Sequence, residues 1–289
     1  MLVRAQRAAG DVQQIGWQTM TESDKAIDDR LQLAVQIARQ AGTLTLNYFQ
    51  DASLEVEAKA DDSPVTRADR EAEQLLREAI EDQFPDDSIV GEELPDRTGS
   101  SPYRWILDPI DGTKSFISGV PLYTTLVAVA EADEPLLGVI AAPALAELVY
   151  AARGQGAWFQ RGEEQVQAAH VAQRNELSEA CFVTTQLDSF ADRHAAEAFQ
   201  LLEQACSITR TWGDGYGYML VATGRADLMV DPIMNIWDAA AIAPVIQEAG
   251  GLFTDWQGNP TVQHGEGIAT NQQLLDAVLA VTRRFPKPL

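Results

Sequence analysis

"YRWILDPIDGTKSFISG", residues 103–119, is an apolar run that stops in two aspartates three residues apart, Asp108 and Asp111, with a proline and a glycine beside them. Trp105, Ile106 and Leu107 read as a buried strand, which places Asp108 at its C-terminal end, where α/β architectures bind ligands. Pro109 removes a backbone donor and fixes φ, while Gly112 permits a turn that side chains resist. The following "GTKSF" can open a helix whose first N–H groups would face an anion. Asp-Pro and Asp-Gly are also common turn dipeptides. Taken alone, the stretch is either a sharp turn or a pair of aimed carboxylates.

On its N-terminal side, Ile27, Leu31, Ala34, Val35, Ile37, Ala38 and Ala41 recur at helical spacing and predict a helix within 24–50. "DDSPVTRADREAEQLLREAIEDQFPDDS" reads as a turn and a second helix over 66–83, with Thr66 as cap and Asp69 as its acidic partner. "SIVGEEL" is a short strand running into Glu92 and Glu93.

On its C-terminal side, "TTLVAVAE", "LLGVIAAP" and "ELVYAARGQGAWFQ" predict a strand meander. From about residue 178 strands and helices alternate. "ACFVTTQ" and "SITRTWG" are strands around the helix "FADRHAAEAFQLLEQAC", followed by a helix over 216–223, a strand over 226–230, a helix over 238–248 and the strand "GLFTDW". The expected fold class is α/β: one unit over 21–289, with an α+β lobe at about 21–170 and an α/β lobe at about 171–289. Residues 1–20 are expected to be a loose extension.

The chain has 289 residues and a formal net charge of −22. That charge argues against nucleic acid and anionic membranes as partners. It would also repel a phosphorylated metabolite unless bound cations reverse the sign locally. No apolar run approaches the roughly 20 residues of a membrane span. The first residues lack the apolar core of a secretory signal, so the expected location is cytoplasmic. Cys181 and Cys206 have neither zinc-site nor disulfide-framework spacing and read as free thiols. His170, His194 and His264 form no motif and read as ordinary side chains.

Glu92 and Asp238 complete the picture. A glutamate after a strand is usually solvated, and an acid ahead of an alanine-rich helix is a normal cap. Together with Asp108 and Asp111, however, three element ends each present a carboxylate beside a restricted backbone. No histidine or cysteine accompanies them, and an all-oxygen set suits Mg²⁺ before Zn²⁺. Mg²⁺ on carboxylates, with phosphate completing the sphere, serves phosphoryl chemistry.

"GEE", "WILDPIDGTKSF" and "NIWDAA", in this order and spacing, resemble the inositol monophosphatase superfamily from about residue 25 to the end. Its signatures are D-P-[IL]-D-G-T and W-D-x-x-A. The resemblance implies a layered α/β/α/β/α sandwich that often forms dimers. It also implies that Glu92, Asp108, the carbonyl of Ile110, Asp111 and Asp238 hold two or three Mg²⁺ ions. Glu92 joins Thr113 and Asp69 in catalysis, the last two orienting and deprotonating the attacking water, and the backbone of Gly112 and Thr113 holds phosphate.

"TRTWGDGYGYMLVATGRADLMVDPIMNIWDAA" further resembles the histidinol-phosphate phosphatase branch, with its R-x-W-G-D-x-Y-x-Y pattern. Histidinol phosphate carries an ammonium and an imidazole, which acids near the leaving group would favour. Asp214 and Asp231 are the candidates, with Arg210 holding them or touching phosphate. The expected activity is Mg²⁺-dependent hydrolysis of histidinol phosphate, with inositol-1-phosphate or a broader range of sugar phosphates as the alternative. A non-catalytic, acidic cation-binding protein is the rival from another class. "WGDGYGYM" is not a dinucleotide loop, because Tyr218 stands where the third glycine belongs.

Overall fold

The computed structural model describes residues 21–58 and 64–287, so the extension expected over 1–20 lies outside the described residues. Helix α1 (Glu22–Leu46) opens with a reciprocal Thr21–Asp24 capping box and buries the stripe Leu33, Ala34, Ile37, Ala38 and Ala41. It ends at Leu46, short of residue 50, where Asn47 N turns back to the Leu44 carbonyl. Strands β1 (Val56–Ala58) and β2 (Pro64–Thr66) form a small antiparallel ribbon that delivers the chain to α2 (Arg67–Gln83). The predicted Thr66–Asp69 capping box is present.

β3 (Ser88–Gly91), β4 (Tyr103–Asp111), the one-turn helix α3 (Thr113–Ile117) and strands β5 (Thr124–Glu131), β6 (Glu134–Ala142), β7 (Glu147–Ala152), β8 (Ala157–Arg161) and β9 (Gln167–Ala168) follow. The seven strands lie in sequence order in one sheet, antiparallel except for the β3–β4 pair. The second half brings β10 (Cys181–Val183), α4 (Asp188–Asp192), α5 (Ala196–Ala205), β11 (Ile208–Arg210), α6 (Asp214–Ala222) and β12 (Leu228–Asp231). Then come α7 (Ile236–Ala239), α8 (Ile242–Glu248), β13 (Leu252–Thr254), β14 (Gly267–Thr270) and α9 (Gln272–Thr282). Its sheet has the order β11-β10-β12-β14-β13, parallel over the first three strands and antiparallel at β14.

Because side chains alternate along β4 and β5, each face of the seven-stranded sheet has its own core. Trp105, Leu107, Val127 and Val129 pack on α1 and α2 through Leu33, Ile37, Leu76 and Ile80. Ile106, Leu126, Ala128 and Ile140 meet Tyr218, Met219, Ile242 and Val245 of α6 and α8 on the other face. Those helices also cover the five-stranded sheet, whose far side packs Phe182, Leu228 and Ile268 against Leu202, Val278 and Leu279 of α5 and α9. The layers are therefore α/β/α/β/α, as the resemblance implied.

Three further helices differ from expectation. The helix over "FADRHAAEAFQLLEQAC" is two helices, broken where His194 takes φ 60° and Arg193 turns in to a buried bond with Glu266. The helix over 238–248 is also two, and it begins at Ile236 behind an Asn235 cap, so Asp238 lies inside it. α6 starts at Asp214 rather than 216. No helix among the described residues is long and apolar enough to cross a membrane.

Candidate active site

In a regular strand, residues three apart point to opposite faces, so Asp108 and Asp111 could not share a ligand. The β4–β5 ladder is irregular between them, passing from the Asp108–Leu126 pair to the Asp111–Thr124 pair. Pro109 sits in the gap, and its carbonyl accepts a hydrogen bond from Thr125 Oγ1 at 2.9 Å. This irregularity turns both carboxylates to one place. The strand therefore does not stop at Asp108 but carries the pair through to Asp111.

Asp238 arrives from the opposite layer. Its Oδ2 accepts the Asn235 N–H at 2.6 Å, completing the cap of α7 and fixing its direction. Asp108, Asp111 and Asp238 each offer an oxygen, all within 4.8 Å of one another. Glu92 lies outside that set, one residue beyond the β3–β4 pairing of Gly91 with Leu107. Its charge is nevertheless felt by Asp69, Asp108, Asp111 and Asp238.

Asp69 comes in at the first turn of α2. Its Oδ2 accepts Thr66 N at 2.8 Å and Thr66 Oγ1 at 2.6 Å, while Oδ1 is buried with no hydrogen-bond partner. Oδ1 of Asp108 is in the same condition. Ala68 packs with Ile110, Phe116 and Tyr123, which seats the start of α2 beside the end of β4 and α3. Thr113 Oγ1 donates to the Ile110 carbonyl at 3.0 Å and makes no hydrogen bond to Asp69. Gly112 has φ 84°, and a Cβ there would come within 2.8 Å of Asp214 Oδ2. Only glycine allows both that turn and that approach.

A cavity of about 60 Å³ opens beside the acids, lined by Asp111, Asp214, Asp231, Tyr218, Met234 and Asp238 among others. Asp214 holds φ 54°, with its N–H bonded to Thr185 Oγ1 at 3.0 Å. Asp231, expected to contact substrate, lines this cavity, and its buried carboxylate is also held by the protein. Its carboxylate accepts Thr184 Oγ1, Thr185 N, Thr185 Oγ1 and Tyr218 OH at 2.9–3.2 Å. Arg210, expected to hold these acids, is exposed on the edge strand β11 and donates to the Thr209 carbonyl at 2.7 Å. Thr185 and Tyr218 hold Asp231 in its place.

Thr124, Gly215, Asn235, Thr185 and Tyr218 were not among the residues expected at the site, although Tyr218 and Asn235 stand inside the quoted motifs. Thr124 Oγ1 and Gly215 N each donate to Asp111 Oδ2 at 2.5 Å. Thr124 is the residue paired across the ladder from Asp111. His264 pairs with Asp255 away from these acids, and Cys181 and Cys206 are free thiols, as expected.

Burial and mutual repulsion set the electrostatics. Burial, then the charges of Glu92, Asp111 and Asp238, push Asp108 well above the usual carboxylate range. Asp111 is raised to about 6 by burial, against the bonds from Thr124 and Gly215. Asp238 is raised to about 8 by burial and the Asp111 charge. Asp214 and Asp69 are raised, burial again first.

A cluster that holds its protons this firmly, with two orphaned carboxylate oxygens, is complementary to a cation. Its donors are all oxygen, which suits a hard divalent ion. Without metal, the raised carboxyls stabilise the folded chain fully below their unfolded pKa, about pH 4. That contribution is lost as pH rises through about 6 for Asp111 and about 8 for Asp238. In EDTA the melting temperature should therefore fall from acid to alkaline pH, and the rise produced by Mg²⁺ should grow over the same interval. A Mg²⁺-induced rise of equal size at every pH would contradict this reading.

Comparison with known proteins agrees with the geometry. The profile of the inositol monophosphatase family matches residues 27–286. The histidinol-phosphatase of Chlorobaculum parvum is 45% identical over 240 residues, covering 83% of this chain and 91% of its own. That of Streptomyces coelicolor is 38% identical over 255 residues, covering 87% and 96%. An inositol monophosphatase structure from Zymomonas mobilis superimposes with a TM-score of 0.78 at 33% identity, over 89% of this chain and 99% of its own.

Proposed function

The chain belongs to the inositol monophosphatase family and is a metal-dependent phosphate monoester hydrolase; from that premise we propose that its ion is Mg²⁺ and its substrate histidinol phosphate. The observation that carries the substrate is Asp214. Its carboxylate lies against Gly112 and lines the cavity together with Asp111 and Asp238, where an ammonium on the leaving alcohol would meet it.

Glu92, Asp108, Asp111, Asp238 and the Ile110 carbonyl would hold two or three Mg²⁺ ions. When bound, these supply charge neutralisation and a more acidic water. The chain does the rest. Asp69 turns its unpartnered Oδ1 to the attacking water and accepts its proton, with Thr113 helping to orient it. The backbone of Gly112 and Thr113 holds the phosphate oxygens in line. Asp231 acts behind Asp214, through the Thr185 hydroxyl that both share. Exposed Arg210 has no part in this scheme. The products are histidinol and inorganic phosphate, and the setting is the cytoplasm, with residues 21–289 working as one unit.

Phosphate release from histidinol phosphate and inositol-1-phosphate, with and without EDTA, tests the reading. A higher kcat/KM on histidinol phosphate is expected, and a higher value on inositol-1-phosphate would reverse the assignment. Asp214→Asn keeps a residue that tolerates the left-handed backbone and removes only the charge. Losing a charge-assisted bond of about 1.5–3 kcal/mol lowers kcat/KM roughly 10- to 100-fold. That loss should fall on histidinol phosphate alone; an equal loss on both substrates would remove Asp214 from recognition.

A further inference from the structure

Glu73 follows Asp69 by one helical turn of α2, so the two carboxylates share a face. Its side chain is wholly buried beside Arg77. Its oxygens accept three N–H groups. Oε1 takes Arg77 Nε at 2.7 Å and Leu94 N at 3.2 Å, and Oε2 takes Glu93 N at 2.8 Å. Arg77 in turn donates to the carbonyls of Leu94 and Pro95, each at 3.0 Å. The pair thus holds both N–H and C=O groups of the segment directly after Glu92.

The other side of Glu92 is held by β4. Gly91 pairs with Leu107, and Glu92 N donates to the Leu107 carbonyl at 3.2 Å. A Cβ at Gly91 would come within 2.1 Å of Glu73 Oε1, so the loop closes on the carboxylate only because no side chain intervenes. A buried ion pair adds little to stability, since desolvation offsets most of its attraction. Apolar residues would fill the space as well but could not hold four backbone groups.

We infer that Glu73 and Arg77, on the same helix as Asp69, are a positioning pair that fixes the backbone around Glu92, so that the Glu92 carboxylate is presented to the cation site. This rests on the proposed role of Glu92 as a metal ligand. Neither residue touches the ion or the substrate.

The test titrates Mg²⁺ alone into the full chain after EDTA treatment, by calorimetry, with the metal-free melting temperature followed in parallel. Glu73→Gln keeps the shape but turns an amide N–H₂ toward a donor. Its Mg²⁺ affinity should fall about tenfold or more, the range seen when groups behind a metal ligand are changed. Glu92→Gln is the control and should weaken binding at least as much. Parental Mg²⁺ affinity in Glu92→Gln would refute Glu92 as a ligand. Weakening there but not in Glu73→Gln, even with a lowered melting temperature, would overturn the positioning role alone. Should Glu73→Gln fail to fold, Arg77→Lys decides, because it keeps the charge and loses the forked contacts to Leu94 and Pro95. A loss of about threefold or more supports the inference, and parental affinity overturns it.

Discussion

Asp111→Asn should reduce turnover by about a thousandfold or more at saturating Mg²⁺, because several kcal/mol of transition-state charge stabilisation are lost at about 1.4 kcal/mol per factor of ten. The substitution is nearly isosteric, and the amide oxygen can still accept Thr124 Oγ1 and Gly215 N, so the packing around β4 survives. The amide would then point N–H₂ into the space that Asp108 and Asp238 face with it, where a cation would sit. Without metal, removing one like charge from a repelling cluster should leave the variant at least as resistant to heat as the parent. Phosphate release and a melting curve in EDTA measure the two halves of this expectation. Near-normal turnover with abundant Mg²⁺ would dismantle the assignment of Asp111 as a ligand.

Asp69→Asn should lower kcat by about 10²- to 10⁴-fold, the range for loss of a positioned proton acceptor, yet leave Mg²⁺ affinity close to that of the parent. The difference from Asp111 follows from the contacts. One oxygen of Asp69 caps α2 through Thr66, a task an amide oxygen can keep. The other is buried and without a donor, and there an amide offers a hydrogen where the water needs an acceptor. KM should change little, since substrate binding does not run through Asp69. Unchanged kcat, or a Mg²⁺ affinity that falls as far as in Asp111→Asn, would move Asp69 from the water to the ion.

The fold was largely legible because its signals are local. The Thr66–Asp69 cap, the meander from Thr124 to Arg161 and the apolar stripe of α1 each depend on residues within a few positions of one another. The acids of the site were legible because Pro109, Gly112 and the alanines after Asp238 mark their backbone as special. What stayed hidden depends on partners far along the chain. Nothing near Asp231 announces that Thr184, Thr185 and Tyr218 would saturate its carboxylate. Nothing near Glu73 announces that it would face Leu94 instead of solvent; on a helix so rich in charge it reads as one more surface acid. Asp238 ahead of the alanines is the more familiar cap pattern, whereas the structure caps α7 with Asn235 and uses Asp238 as its reciprocal partner. β14 and α9 lie beyond "GLFTDW", the last element the sequence pattern assigns.

The bond from Gly215 N to Asp111 Oδ2 joins residues 104 positions apart, from the seven-stranded sheet to the first turn of α6. The acid proposed to bind the ion is thereby also a rivet in the seam between the two halves of the molecule. Acidity and seam geometry are coupled through this one bond. A change that shifts α6 alters the bond that tunes the carboxylate, and one that removes the acceptor oxygen, as Asp111→Ala would, loosens the seam. The chain has tied its chemistry to its own closure.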